Sequence, residues 1–141
     1  MKRIFSVTLA TALLLTCCMG TALAYSEIEP YASPTLSYYD ADMVSGGKGT
    51  AYIDFAVSSS KLADELGVEV IRFYESNGDY VKTVYGSVSN GLIYQDDMWH
   101  NDSYKVSLPS GNSYYAEVTV FATVGSETDS RTVTTSTVRI P

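Results

Sequence analysis

One histidine, His100, stands in the segment Met98-Trp99-His100-Asn101-Asp102, with Asp97 just ahead of it. A histidine beside a carboxylate is the base half of a serine or cysteine hydrolase. The nucleophile that would complete such a site has no signature. No G-x-S-x-G elbow occurs, and both cysteines, Cys17 and Cys18, lie near the amino terminus. His100 therefore reads as a surface or turn histidine, and no catalytic residue is assigned.

Asp96, Asp97 and Asp102, with Asn101 among them, place hard oxygens on one stretch, and Asp40 with Asp42 or Glu127 with Asp129 do so elsewhere. Calcium takes six or more oxygens, and the spaced D-x-D-x-D-G loop with its distal glutamate is missing. The three aspartates are calcium candidates that read more simply as an acidic solvated turn. Sugar hydrolysis needs two acids held across a cleft, which a domain this small seldom offers. No cofactor is indicated.

The aromatic residues point to binding. All 12 tyrosines lie beyond residue 24 together with the single tryptophan, and such rings give rigid contact area at low entropic cost. Tyr38, Tyr39, Tyr52, Tyr94 and Trp99 are the candidates for a platform that meets a glycan or a protein partner. Tyrosine also fills outer sheet faces merely because it favours strands.

These residues must be positioned by a domain that the first 24 residues precede. Lys2 and Arg3 are followed by an apolar run from Ile4 to Leu15 and a small-residue site at Ala22-Leu23-Ala24, the pattern of a secretory signal. The run is shorter than the roughly 20 residues of a membrane span, so no stable span is expected after cleavage at Ala24. A lipoprotein signal at Cys17 or Cys18 fits less well, because bulky residues precede each thiol. The expected product is extracellular and free of cysteine. Loss of Lys2 and Arg3 leaves seven basic against 16 acidic residues, a net charge of −9. That charge disfavours nucleic acid and anionic lipid as partners.

Residues 25–34, with two prolines and no period, read as a flexible lead-in. From Thr35 to Pro141 short Val, Ile, Tyr, Phe and Thr runs alternate with Gly, Ser, Asn and Asp clusters, the pattern of strands and turns. Strands are expected at Thr35 to Tyr39, Thr50 to Val57, Val68 to Glu75, Tyr80 to Val88, Ser103 to Leu108, Ser113 to Val124 and Arg131 to Arg139. A short eighth is expected at Leu92 to Tyr94. In Ser113 to Val124 the residues Tyr114, Ala116, Val118, Val120, Ala122 and Val124 share the inward face, and Phe121 falls on the outward one. Ala51, Ile53, Phe55 and Val57 face inward likewise, turning Asp54 outward. Asn77-Gly78 predicts a two-residue type I′ hairpin and Asn90-Gly91 a second. Ser60 as cap, Leu62 with Leu66 and a closing Gly67 predict a helical turn over Lys61 to Leu66.

Leu108, Gly111 and Tyr114 reproduce the L-x-x-G-x-x-Y spacing of fibronectin type III-like domains, which this stretch resembles. The resemblance implies a tyrosine corner, with the Tyr114 hydroxyl bonded to the backbone upstream. The third strand lacks the core tryptophan of immunoglobulin domains, and no cysteine pair accompanies it. The chain also resembles a family of small uncharacterised proteins exported by Gram-positive bacteria. The matching stretches are Tyr31-Ala32-Ser33, Asp64-Glu65-Leu66-Gly67 with Tyr74-Glu75-Ser76, Tyr114-Tyr115-Ala116, and Asp129-Ser130-Arg131-Thr132. No activity comes with that resemblance.

The expectation is all-β: one antiparallel sandwich of seven to eight strands, fibronectin type III-like or immunoglobulin-like. Its expected role is binding or structural interaction with a glycan, the cell envelope or a protein partner. A small extracellular hydrolase or calcium-binding module is the alternative. The Thr-rich run Thr132 to Val138 reads as an ordinary final strand or as an edge that accepts a partner strand.

Overall fold

The computed structural model describes residues 34–141; the expected export signal, residues 1–24, and the lead-in up to residue 33 lie outside the described residues. The described part is all-β, a single antiparallel sheet of seven strands with one short 3₁₀ turn. The strands are β1 (Leu36–Gly47), β2 (Thr50–Glu75), β3 (Tyr80–Tyr85), β4 (Ile93–Ser107), β5 (Ser113–Val124), β6 (Glu127–Thr134) and β7 (Val138–Arg139). Among the described residues no helix is long and apolar enough to cross a membrane.

β2 organises the sheet. Its first half pairs β1 on one edge and the second half of β4 on the other, so that Ile53 stands between Met43 and Tyr104. Its second half pairs β5 on one edge and the start of β4, then β3, on the other. Both halves feed one buried cluster, with Ala51, Ile53, Phe55 and Val57 from the first and Leu66, Val68, Ile71 and Phe73 from the second. Two irregularities fix which face each half buries. Between Ser58 and Ala63 four β2 residues stand against Met98 alone, and between Val68 and Val70 the extra residue Glu69 shifts the alternation.

The inward faces follow the period-2 pattern. Tyr114, Ala116, Val118, Val120 and Ala122 are fully buried, as are Ala51, Ile53 and Val57, whereas Asp54 is exposed. Val124 is only half-buried. Phe121, expected outward, is buried, opposite Gly67 in β2.

The helical turn over Lys61 to Leu66 does not form; those residues continue β2. Six residues are too few to sustain a helix alone, and Glu65 and Leu66 instead take strand partners in both β4 and β5. Leu62 is exposed while Leu66 is fully buried, so the pair shares no face. Gly67 closes nothing. It has φ +143°, and a Cβ there would meet the Leu92 carbonyl oxygen at 2.1 Å. That carbonyl accepts the Val68 amide at 2.8 Å.

Asn77 and Gly78 do lie between two strands, but the loop is longer than two residues. Gly78 takes φ +95° and Asn77 a negative φ, which excludes a type I′ turn. The Gly78 amide donates to the Glu75 carbonyl, and the Asn77 side chain accepts the Asp79 amide at 2.9 Å. The loop still joins β2 and β3 as an antiparallel hairpin, whereas Asn90-Gly91 forms none. Val88–Asn90 is a 3₁₀ turn with Gly91 left-handed at its end. Asn90 fastens it by accepting the Ser87 and Leu92 amides and donating to the Tyr85 carbonyl.

The expected last strand divides into β6 and β7. At the break the Thr135 hydroxyl accepts the Ala116 amide at 2.9 Å, replacing a backbone carbonyl in the ladder. The Tyr114 hydroxyl donates to the Pro109 carbonyl at 2.8 Å from a fully buried ring, while Leu108 is buried and the Gly111 amide donates to the Ile140 carbonyl. All three residues of the L-x-x-G-x-x-Y motif thus hold the turn into β5.

Denaturant unfolding checks these two anchor points. Tyr114→Phe keeps the packing and loses one hydrogen bond, an expected cost of about 1 kcal/mol. Gly67→Ala must move the Leu92 backbone and adopt a φ reserved for glycine, an expected cost on the order of 3 kcal/mol.

Candidate functional site

The outer face of β1, the first half of β2 and the second half of β4 consists of residues that alternation turns away from the core. Successive rows across the three strands lie about 7 Å apart, two residues along each strand. The first row is Tyr38, Ser58 and Trp99, and the second Asp40, Ala56 and Asn101. Asp42, Asp54 and Ser103 form the third, and Val44, Tyr52 and Lys105 the fourth.

Small Ser58 separates the two aromatic residues of the first row, so their rings close over it. The Tyr38 and Trp99 ring centroids are 6.0 Å apart and the planes are inclined by 14°. Each side chain is about half exposed, Tyr38 at 50% and Trp99 at 46%. Ser58 is fixed beneath them by a 2.8 Å hydroxyl contact with Ser37. The chain runs 61 residues between the two rings; the shared partner in β2 brings them together. Leu62 and Met98, both exposed, stand at the neighbouring irregularity of β2 and β4.

Next to the ring pair lies an open concavity of about 460 Å³ lined by Asp40, Asp42, Asp54, Phe55, Ala56, Asn101, Asp102 and Ser103. The Ser103 hydroxyl donates to Asp54 Oδ1 at 2.5 Å, and the Ser136 amide donates to Asp42 Oδ1 at 2.9 Å. Desolvation raises the Asp42 pKa, but hydrogen bonds from Ser136 and the Met43 backbone outweigh it, and the carboxyl sits below its ordinary value. The floor is therefore negative and rich in hydrogen-bond acceptors.

The five aromatic candidates do not form one platform. Tyr38 and Trp99 do. Tyr94 is stacked at 4.9 Å and 16° on His100 and meets Trp99 only across a separate open concavity that His100, Asn101 and Asp102 also line. Tyr39 stands opposite Val57, on the face away from Tyr38. Tyr52 shares the outer face but lies three rows, about 20 Å, from the pair, and its ring rests over Gly46, where an added Cβ would meet it at 2.6 Å.

His100 is not a surface or turn residue. It is 7% exposed in β4, its ring edge-on to Phe55 at 5.1 Å and stacked on Tyr94. Nε2 lies 2.8 Å from the Gly91 carbonyl oxygen, which only accepts, so that nitrogen carries the proton. The acidic stretch is likewise no turn. Asp96, Asp97 and Asp102 belong to β4, and Asp96 bends it with φ +54°. Asp97 Oδ1 accepts the Met98 and Trp99 amides, and Asp102 Oδ1 accepts the Ser103 amide. Among the described residues no three histidine, cysteine or carboxylate side chains gather as metal ligands.

A second aromatic group escaped the sequence reading. Tyr74 and Tyr115, paired across β2 and β5, stack at 5.3 Å and 18°, and Tyr80 meets Tyr74 edge-on at 6.1 Å. Burial, then the bond and charge of Glu117, raise the Tyr74 pKa; its hydroxyl donates to Glu117 Oε2 at 3.2 Å. Their spacing from one another, as at Tyr38 and Trp99, is a matter of strand register, which local sequence does not state.

No family model matches the chain, and neither a curated protein nor a solved structure matches it.

The depressed Asp42 pKa has a pH consequence. Such a carboxyl adds stability above its unfolded pKa of about 3.9, and the contribution is lost as pH falls through the lower folded value. Thermal melts of Asp42→Asn should show lower stability than the parent chain at pH 7, with the gap narrowing toward pH 3.

Proposed function

We propose that the chain is an exported, acidic binding module that takes a glycan on the outer face of β1, β2 and β4. The observation that carries this reading is the near-parallel, half-exposed Tyr38 and Trp99 pair at the rim of a concavity lined with carboxylates and an amide. A pyranose turns a face of C–H groups toward an aromatic ring, and its hydroxyls need hydrogen-bonding groups beside that ring. Asp40 and Asn101 occupy the adjacent row, and Asp54 and Ser103 the one after. The rings supply contact area, and the polar groups set orientation.

Openness favours binding over hydrolysis: the carboxylates lie on an exposed sheet face and not across a closed cleft. His100, stacked on Tyr94 and edge-on to Phe55, has Nε2 committed to the Gly91 carbonyl. Export rests on the tripartite pattern of residues 1–24, with cleavage after Ala24. A fibronectin type III-like sandwich is supported by the Tyr114 corner and by the single buried cluster that both halves of β2 feed.

Trp99, the only tryptophan, reports directly on this site. Titration with soluble cell-wall or plant oligosaccharides should change its fluorescence saturably. Tyr38→Ala should weaken binding about tenfold, the loss of one stacking surface worth about 1.4 kcal/mol, whereas Tyr115→Ala should leave it unchanged. A flat Trp99 signal across the panel, or a greater loss in Tyr115→Ala, contradicts the proposal.

A further inference from the structure

We infer that the glycan taken at this face is a hexosamine polymer carrying free amino groups. The inference rests on the glycan reading and names the class of sugar; the ring pair and the open sheet face define the site, and charge selects its occupant.

Beyond the rings the face runs for two rows in which every charged residue is an aspartate: Asp40, then Asp42 and Asp54. The first cation, Lys105, comes one row later, paired with Tyr52 at the far end. The Ser103 hydroxyl holds Asp54, and Ser136 with the Met43 backbone holds Asp42, which orients the carboxyls without neutralising them. Among the described residues the arginines Arg72, Arg131 and Arg139 lie elsewhere, on the second half of β2, on β6 and on β7. Lys61 stands at the β2 irregularity, beyond the ring pair from these rows, so an anion lying along the aspartate rows meets only like charge there, and uronate or phosphate-bearing polymers are repelled.

A neutral N-acetylated sugar would stack and hydrogen-bond but leave the three carboxylates uncompensated. A protonated amine on successive residues pairs with them row by row while the pyranose face stays on Trp99. The same field accelerates encounter with a polycation at low ionic strength. A basic polypeptide could meet the charge, but a flexible lysine side chain presents no flat C–H face to match two near-parallel rings.

The test uses the whole chain and Trp99 fluorescence, with three glycan probes of equal length, glucosamine oligomers, N-acetylglucosamine oligomers and galacturonic acid oligomers, and an oligolysine peptide as a fourth probe. The glucosamine oligomer is expected to bind at least tenfold tighter than the N-acetylated one at low salt. The gap should shrink on raising salt toward 1 M, where the screening length falls to about 3 Å. Galacturonate should not bind. Asp40→Asn, an exposed position, is expected to weaken glucosamine binding about threefold, as for one exposed ion pair, and so to narrow the lead of the glucosamine oligomer over the N-acetylated one. Asp54→Asn provides a second carboxylate variant. Equal binding of the two neutral and cationic probes, insensitive to salt and to both variants, overturns the amine inference and leaves the glycan reading standing. A saturable response only to an oligolysine peptide, or none to any probe, overturns both.

Discussion

The pairing of one 26-residue strand along its whole length is the constraint on which the rest depends. β2 hydrogen-bonds to β1, β3, β4 and β5, and only β6 and β7 are attached through another strand, β5. A register slip in β2 would turn Ile53 and Val57 outward and bury Asp54, since each step of one residue exchanges the faces. Burial of the apolar set on both halves therefore fixes the position of every outer-face residue within a few ångströms.

The two irregularities let one strand serve two sets of partners. Where Ser59 to Leu62 crowd against Met98, β2 leaves its β1 pairing and gains β5; where Glu69 is inserted, the buried positions change parity. The first irregularity adjoins Ser58 and Trp99, so the aromatic pair sits where the sheet changes partners. Backbone there is held from several directions at once: the Ser60 amide donates to the Thr35 carbonyl, and the Thr35 amide donates to Asp129. Rigid support beneath two aromatic rings lowers the entropy lost when a ligand settles on them.

Much of the core was legible in the residues. Alternation over Ser113 to Val124 identified the buried face of β5, and the tyrosine corner was legible because its motif is local and its hydrogen bond spans five residues. The continuity of β2 was not. Ser-Ser-Ser-Lys-Leu-Ala-Asp-Glu-Leu-Gly carries good helix formers and caps, and tertiary pairing overrode that preference. The ends of β4 were legible as Leu92 to Tyr94 and Ser103 to Leu108, but its middle was hidden for a related reason: aspartate and asparagine are poor strand formers, but they are tolerated where the strand face is open to water. His100 was misread because Asp96, Asp97, Asn101 and Asp102 surround it in sequence, whereas its neighbours in space are Phe55 and Tyr94. The ring pair itself needed the register of three strands, two of them 61 residues apart at the point of contact.

Binding at this face requires that ligand meet the sheet where Tyr38 and Trp99 share Ser58. Amide chemical-shift mapping on the whole chain, titrated with a glucosamine oligomer, tests it directly. The account expects the perturbations to cluster at residues 38–42, 54–58 and 99–103. Shifts concentrated around Tyr74, Tyr80 and Tyr115, or no shifts at all, would contradict it.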